Sequence, residues 1–312
     1  MILYFCPDIA VKSGGVRCLY RHVELLARSG IPAAILHEQT PFKAPDTPDV
    51  PLKYLDQPRV LSPGDTVVVP EGSVNIMRGL KDLPVRKFVA ALSWVHIFSR
   101  LPDHLDWRHF NVERVLAVSP MVADFVRWSM KLPVALLDFA VDPTLYHYDE
   151  AAKRPVVSYF TRKAEKVEAL KRLLGARDPR FVEAVEWLGC DDLPEADYAA
   201  RLREASVYLA LGEAEALNIT VYEAWRCGTL VAGFDAVGLA GTMRGDGPER
   251  NCLLAQNGDL FGLAQALEPL LLDLLSGEMS AWRGVIRNGR KLAAPHTPER
   301  EERSVLDFWA SV

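Results

Sequence analysis

Short apolar runs alternate with helical ones along nearly the whole chain, and this alternation restricts the fold more than any other feature. The first run, MILYFC, reads as a strand. GVRCLYRHVELLARSG follows as an amphipathic helix ending at Gly30, with Val16, Leu19, Val23, Leu25 and Leu26 near helical spacing. Arg17, Arg21 and Arg28 fall largely on its other side. PAAILH, TVVVP, RKFVAALSW and RVLAVS are further strands, then a helix runs from Pro120 to about Met130, and PVALLDFAV closes the series. Ser119 is placed to cap that helix, with Pro120 at its first position. These strands are apolar throughout, as parallel strands are when both faces are covered.

The pattern restarts after Tyr146–Pro155, a polar stretch read as a linker; Asp142, just before it, reads as a turn residue. VVSYF, AVEWLG, VYLAL and LVAGF are strands. AEKVEALKRLLGA, a segment near Glu195–Ala205 and another from Asp259 to Leu275 are helices. At 312 residues the chain is roughly twice the ~100–200 of a single domain. The expectation is an α/β protein of two doubly wound, Rossmann-like parallel-sheet domains, residues 1–148 and 149–296. The terminal segment, 297–312, reads TPEREERSVLDFWASV and forms a helix with one apolar side.

Composition excludes several classes. The formal charge is −5, and neither half carries a basic excess, so no nucleic-acid partner is expected. Cys6, Cys18, Cys190, Cys227 and Cys252 are scattered, with no CxxC or Cys/His ligand spacing, so neither a zinc site nor a disulfide framework is expected. Asp191-Asp192 reads as a polar loop, and no metal is expected. No GxGxxG follows a predicted strand, which argues against a dinucleotide oxidoreductase. The start, MILYFCPD, lacks the features of a signal peptide, and no apolar run nears the ~20 residues that cross a bilayer. The expected location is the cytoplasm. Trp128, Arg127 and Lys131 admit peripheral contact with the inner membrane face, though such residues more often just cover a helix.

The chemistry concentrates in GEAEALNITVYEAWRCGTLVAG, Gly212 to Gly233. With Asn218 as cap, Glu215 lies in the turn before a helix and Glu223 in its second turn. The exposed N–H groups of a helix start, here Asn218, Ile219 and Thr220, make a seat for phosphate. Eight helical residues span on the order of 12 Å. That is about the reach of a nucleotide-diphosphate sugar from its hexose hydroxyls to its ribose hydroxyls. One carboxylate at each end would hold both sets. Two solvated acids on an ordinary helix would give the same spacing.

This stretch resembles the E-x7-E signature of retaining GT-B-fold glycosyltransferases (the group 1 type), written E-G-F-G-L-x-x-x-E-A-x-x-C-G-x-x-V. Glu215, Glu223, Ala224, Cys227, Gly228 and Val231 match in register, while Ala216 and Asn218 replace the two signature glycines. The resemblance implies a GT-B fold with two domains facing across a cleft and the C-terminal helix returning to the first. It implies that Glu215 binds the donor sugar and Glu223 the ribose. Such enzymes place an Arg and a Lys after the first strand of the second domain to grip the diphosphate; here these are Arg162 with Lys163 or Lys166. Fixed cations there stabilise the departing diphosphate, and basic residues at a helix start oppose its dipole. Gly14 and Gly15 match the family's first strand–loop–helix, where backbone approaches phosphate or acceptor. His96, beside Trp94, stands where the family carries a pocket histidine or aromatic, and GPERNCLLAQNGDLFGLAQAL loosely matches a late family segment.

The expected activity is transfer of a sugar from a UDP- or GDP-sugar to an acceptor hydroxyl, with retention, no metal and no cofactor. A saccharide or lipid-linked glycan in surface-polysaccharide synthesis is the acceptor class the family suggests. The resemblance implies that acceptor choice belongs to loops 38–57 and 101–110; Trp107, Arg108 and His109 in the latter could face a saccharide, a lipid headgroup or water. Two alternatives stay open: a GT-B-fold nucleotide-sugar epimerase, and a catalytically silent sugar-binding scaffold.

Overall fold

Two parallel sheets organise the chain in the computed structural model, which describes residues 1–312 except Lys12, Ser99, Thr161, Arg162, Lys163, Asp192, Val237, Leu239 and Ala240. One compact unit comprises Met1–Asp138 with Glu299–Val312, the other Phe139–Pro298.

The first unit contains β1 (Ile2–Phe5), α1 (Gly14–Arg28), β2 (Ala33–His37), β3 (Leu52–Tyr54) and β4 (Thr66–Pro70). It continues with α2 (Val74–Leu80), β5 (Arg86–Ala91), β6 (Val112–Ala117), α3 (Pro120–Met130) and β7 (Val134–Leu136). The strands lie in the order β3-β2-β1-β4-β5-β6-β7, every pair parallel, with Ile2 opposite both Ala33 and Thr66. The order reverses between β1 and β4, which makes the crevice beyond their C-terminal ends the natural ligand position. Ser119 caps α3 by accepting from the Val122 N–H at 3.4 Å. β3 is an edge strand inside the segment 38–57 that the sequence reads as loop, and PVALLDFAV yields strand only over Val134–Leu136.

The second unit contains β8 (Arg154–Tyr159), α4 (Ala164–Arg177), α5 (Arg180–Glu183), β9 (Glu186–Gly189), α6 (Glu195–Glu204) and β10 (Ala205–Ala210). α7 (Ile219–Arg226), β11 (Leu230–Phe234), β12 (Cys252–Ala255), α8 (Leu260–Ser276) and α9 (Arg283–Ala293) follow. Its order is β12-β11-β10-β8-β9, again all parallel, and the reversal lies between β8 and β10. Asp259 starts α8 by accepting from Gly262 N–H at 2.8 Å, and Gly277, at φ 78°, ends it. The polar stretch Tyr146–Pro155 lies inside this unit: Tyr146 is buried in its core, edge-on to Tyr198 at 6.1 Å. Asp142 turns the chain just before, its carboxylate accepting from both N–H and Oγ1 of Thr144.

α10 (Pro298–Ala310) completes the core of the first unit. Val305 and Phe308 are buried there, Trp309 stacks on Phe88 at 5.6 Å, and its indole N–H donates to the Tyr4 hydroxyl at 3.1 Å. A half-buried ion pair, Arg21 Nε to Glu301 at 3.0 Å, ties it to α1.

Candidate functional site

The reversal between β8 and β10 makes these strands neighbours, so the end of β8 with Phe160 lies beside the end of β10, from which residues 211–218 lead to α7. Lys166, in the first turn of α4, forms an ion pair with Glu213 of this loop. Its ammonium also stands 5.4 Å from the centroid of Phe234, at the end of β11. The Glu213 carbonyl accepts from Asn257 Nδ2 at 3.1 Å, which pins the loop from the other side.

Glu215 follows in the same loop, half-buried and folded against glycine backbone. A Cβ on Gly212 would overlap its carboxylate, and a Cβ on Gly238 would overlap its carbonyl oxygen. Only hydrogen at those two positions leaves room for Glu215 as it stands. Ala216 and Asn218 are buried, 7% and 8% exposed. Asn218 occupies the cap position of α7, at φ −95° and ψ 84°, but makes no side-chain cap bond. This corrects the expected capping; the first N–H groups of α7 have no side-chain oxygen from Asn218. Ile219 is half-buried and Thr220 buried in the first turn.

Glu223 lies in the second turn and is 6% exposed. Burying a carboxylate is costly unless hydrogen bonds compensate, and the Tyr198 hydroxyl donates to its Oε2 at 3.0 Å. The helix ends at Cys227-Gly228. Gly228 has φ +68°, and a Cβ there would also overlap the Tyr148 ring, which explains the Cys-Gly closure. Trp225 anchors the buried face through an indole N–H to the Asn251 carbonyl at 3.0 Å.

The second unit therefore carries Lys166 on α4, paired to the loop of Glu213 and Glu215 that leads into α7, and Asn218, Ile219, Thr220 and Glu223 at the cap and in the first turns of α7. Arg162 and Lys163 lie outside the described residues. Gly14, Gly15 and His96 belong to the first unit. Gly14 and Gly15 open α1, and a Cβ on Gly15 would sit 3.1 Å from Leu92 Cδ1, while Gly14 faces open space. His96 is exposed, in a single 3-10 turn over Trp94–His96. Trp107 is a core residue, 0% exposed, which removes it from any acceptor surface. Arg108 pairs with Asp106, and His109 Nδ1 accepts from the Asp106 N–H at 3.1 Å in a capping box. Trp128 is 80% exposed, and Arg127 pairs with Asp124 at 2.8 Å.

Sequence reasoning passes over three residues here. Glu213 is two positions from Glu215, and spacing alone does not say which acid meets the lysine. Tyr198 carries no motif. Glu71 directly follows β4 at the reversal of the first sheet, buried, its two oxygens accepting from Leu92 and Ser93 N–H at 2.9 Å each. Burial pushes its carboxyl up to about 7 in spite of those bonds. Among the described residues, no group of three or more His, Cys, Asp or Glu is placed to hold a metal ion, and no helix is long and apolar enough to cross a membrane.

No protein-family model matches the chain, and no curated protein matches its sequence. Solved structures do match its fold. Sucrose-phosphate synthase from Thermosynechococcus elongatus superposes with a TM-score of 0.71 at 16% identity, over 99% of this chain and 98% of that one. HepE from Anabaena, in complex with UDP, gives 0.69 at 14% identity over 100% of both chains. WaaG, a glycosyltransferase involved in lipopolysaccharide biosynthesis, gives 0.62 at 13% identity over 99% and 98%. These neighbours are GT-B glycosyltransferases. The chain has the GT-B fold: two parallel-sheet α/β units, of seven and five strands.

Proposed function

We propose that this chain is a retaining glycosyltransferase that moves a sugar from a nucleotide-diphosphate donor, UDP- or GDP-linked, to an acceptor hydroxyl. The observation that carries the reading is the assembly at the β8/β10 reversal. Lys166 pairs with Glu213 of the loop that leads into α7, and α7 buries Glu223, in a fold shared with HepE, which was crystallised with UDP and with UDP-glucose. The α7 N–H groups and Lys166 supply positive potential for the diphosphate. Glu223 takes the ribose hydroxyls and Glu215 the sugar hydroxyls. Arg162 and Lys163, which follow β8 in the sequence, are proposed to join the diphosphate grip.

In the reaction the bond between the anomeric carbon and the β-phosphate oxygen breaks. The acceptor oxygen bonds to the same face of that carbon, and its proton passes to the leaving phosphate. The protein then needs no nucleophile of its own, and its main task is to stabilise charge that grows on the diphosphate. Neither a metal nor a cofactor enters this scheme. We assign His96 as a catalytic pocket residue, and Gly14 and Gly15 as the backbone that approaches the donor phosphate or the acceptor. The acceptor is a saccharide or lipid-linked glycan of surface-polysaccharide synthesis, met in the cytoplasm with Trp128 turned to the inner membrane face.

The buried Ala216 and Asn218, where the signature has glycine, favour a second reading: donor binding without turnover. Incubation of the purified protein with UDP- and GDP-sugars, followed by NMR, separates these. Slow release of free nucleotide supports transfer, conversion of the sugar in place supports an epimerase, and binding with neither supports the scaffold. Absence of binding to any nucleotide or nucleotide sugar would reject all three.

A further inference from the structure

Glu223 does not depend on α7 alone for its orientation. Tyr198, on α6, donates to Glu223 Oε2 at 3.0 Å from a position only 9% exposed. The Tyr198 ring is itself fixed from two sides. It stacks on Phe160, with centroids 5.8 Å apart and planes at 27°, and meets Tyr146 edge-on at 6.1 Å. Phe160 leaves the end of β8 and packs edge-on against Tyr208 of β10 at 6.4 Å. The phenol is thus held directly by Phe160, just past β8, and by Tyr146, with Phe160 braced in turn by Tyr208 of β10, and its hydroxyl donates to the carboxylate. Burial first, and the Glu223 charge second, push its ionisation well above the ordinary tyrosine range, so the hydroxyl stays a donor.

We propose that Tyr198 is a positioning residue of the donor site, locking the Glu223 carboxylate in the orientation that receives the ribose hydroxyl pair. The inference rests on the assignment of Glu223 to the ribose. A glutamate side chain free to rotate would have to be ordered when the nucleotide binds, at a cost in affinity. A carboxylate already held by a buried phenol avoids that cost. A hydroxyl that merely satisfied a buried charge would support the fold without affecting how ribose is distinguished from its deoxygenated analogue.

The test is calorimetric binding of UDP and 2′,3′-dideoxy-UDP, with the guanosine pair run alongside, to wild type, Tyr198→Phe and Phe160→Leu. The nucleotide that binds the wild type is expected to lose roughly ten- to a hundredfold in affinity when its ribose hydroxyls are removed. Tyr198→Phe is expected to shrink that ratio about fivefold or more, leaving the dideoxy affinity unchanged. Phe160→Leu, which keeps the hydroxyl and loosens the ring, is expected to shrink it less, and it carries the test should Tyr198→Phe fail to fold. A wild type indifferent to the ribose hydroxyls, or one that binds neither nucleotide, overturns the ribose assignment of Glu223 and this inference with it. A wild type that discriminates while both variants keep its full ratio overturns the role of Tyr198 alone. Equal weakening of both ligands also overturns it, because that is the mark of a merely structural contact.

Discussion

Glu223 is where the proposed donor site is most sensitive at the level of single residues. A hydrogen bond to a charged group is worth about 1.5–3 kcal/mol, so Glu223→Ala should weaken UDP roughly ten- to a hundredfold by calorimetry. Unchanged affinity would remove the residue from the site. Glu215 can be tested without touching it. A methyl group on Gly212 meets the carboxylate end and Cγ of Glu215, a flexible target, so Gly212→Ala should displace the carboxylate while the fold survives. The expected outcome is at least tenfold slower release of nucleotide from the nucleotide sugar, with affinity for free UDP nearly intact. A variant as active as wild type would show that Glu215 does not touch the sugar. The match to the signature is legible in the residues themselves. The Gly212 contact is not, because it depends on how the loop folds back.

At the scale of elements, α1 carries a titration that should mark the first unit. His22 is 4% exposed, edge-on to Tyr4 at 5.6 Å and 3.6 Å from Cys18 Sγ, and its Nδ1 has no hydrogen-bond partner among the described residues. Burial, then the Arg21 charge, pushes its pKa down to about 4. The unfolded chain takes up this proton near the ordinary value of about 6.5, the folded chain only near 4. The folded state is therefore favoured fully above pH ~6.5 and loses that contribution as pH falls towards 4. Relative to His22→Leu, the wild type should lose about 3 kcal/mol over that window. Denaturant melts at pH 7.5 and pH 4.5 check it, and parallel pH profiles for the two proteins would contradict it. The helix itself is readable from apolar spacing. That its one histidine faces inward against Tyr4 is a matter of how α1 lies on the sheet.

At the scale of the molecule, α10 joins the end of the chain to its beginning. Trp309→Ala removes a stack on Phe88 and leaves the Tyr4 hydroxyl without its indole donor. Truncating a large aromatic of this kind costs about 3 kcal/mol. Hydrogen exchange should show faster opening of the β1, β4 and β5 amides in that variant, while β8 and β10 keep their protection. Equal loss in both sheets would mean that α10 does not act through the first core. The apolar side of α10 is plain from TPEREERSVLDFWASV, but its partner surface is separated from it by almost the whole chain.

Local rules were enough for the alternation of strands and helices, the parallel character of the sheets and the Cys-Gly closure of α7. Each depends on neighbouring residues: apolar runs, helical spacing, and a glycine where φ is positive. The edge strands β3 and β12, the Lys166–Glu213 pair, the buried Tyr198 donor and the burial of Trp107 were decided by tertiary structure. These partners are distant in sequence, and strand order, which sets which loops become neighbours, is a property of the folded sheet rather than of any single segment.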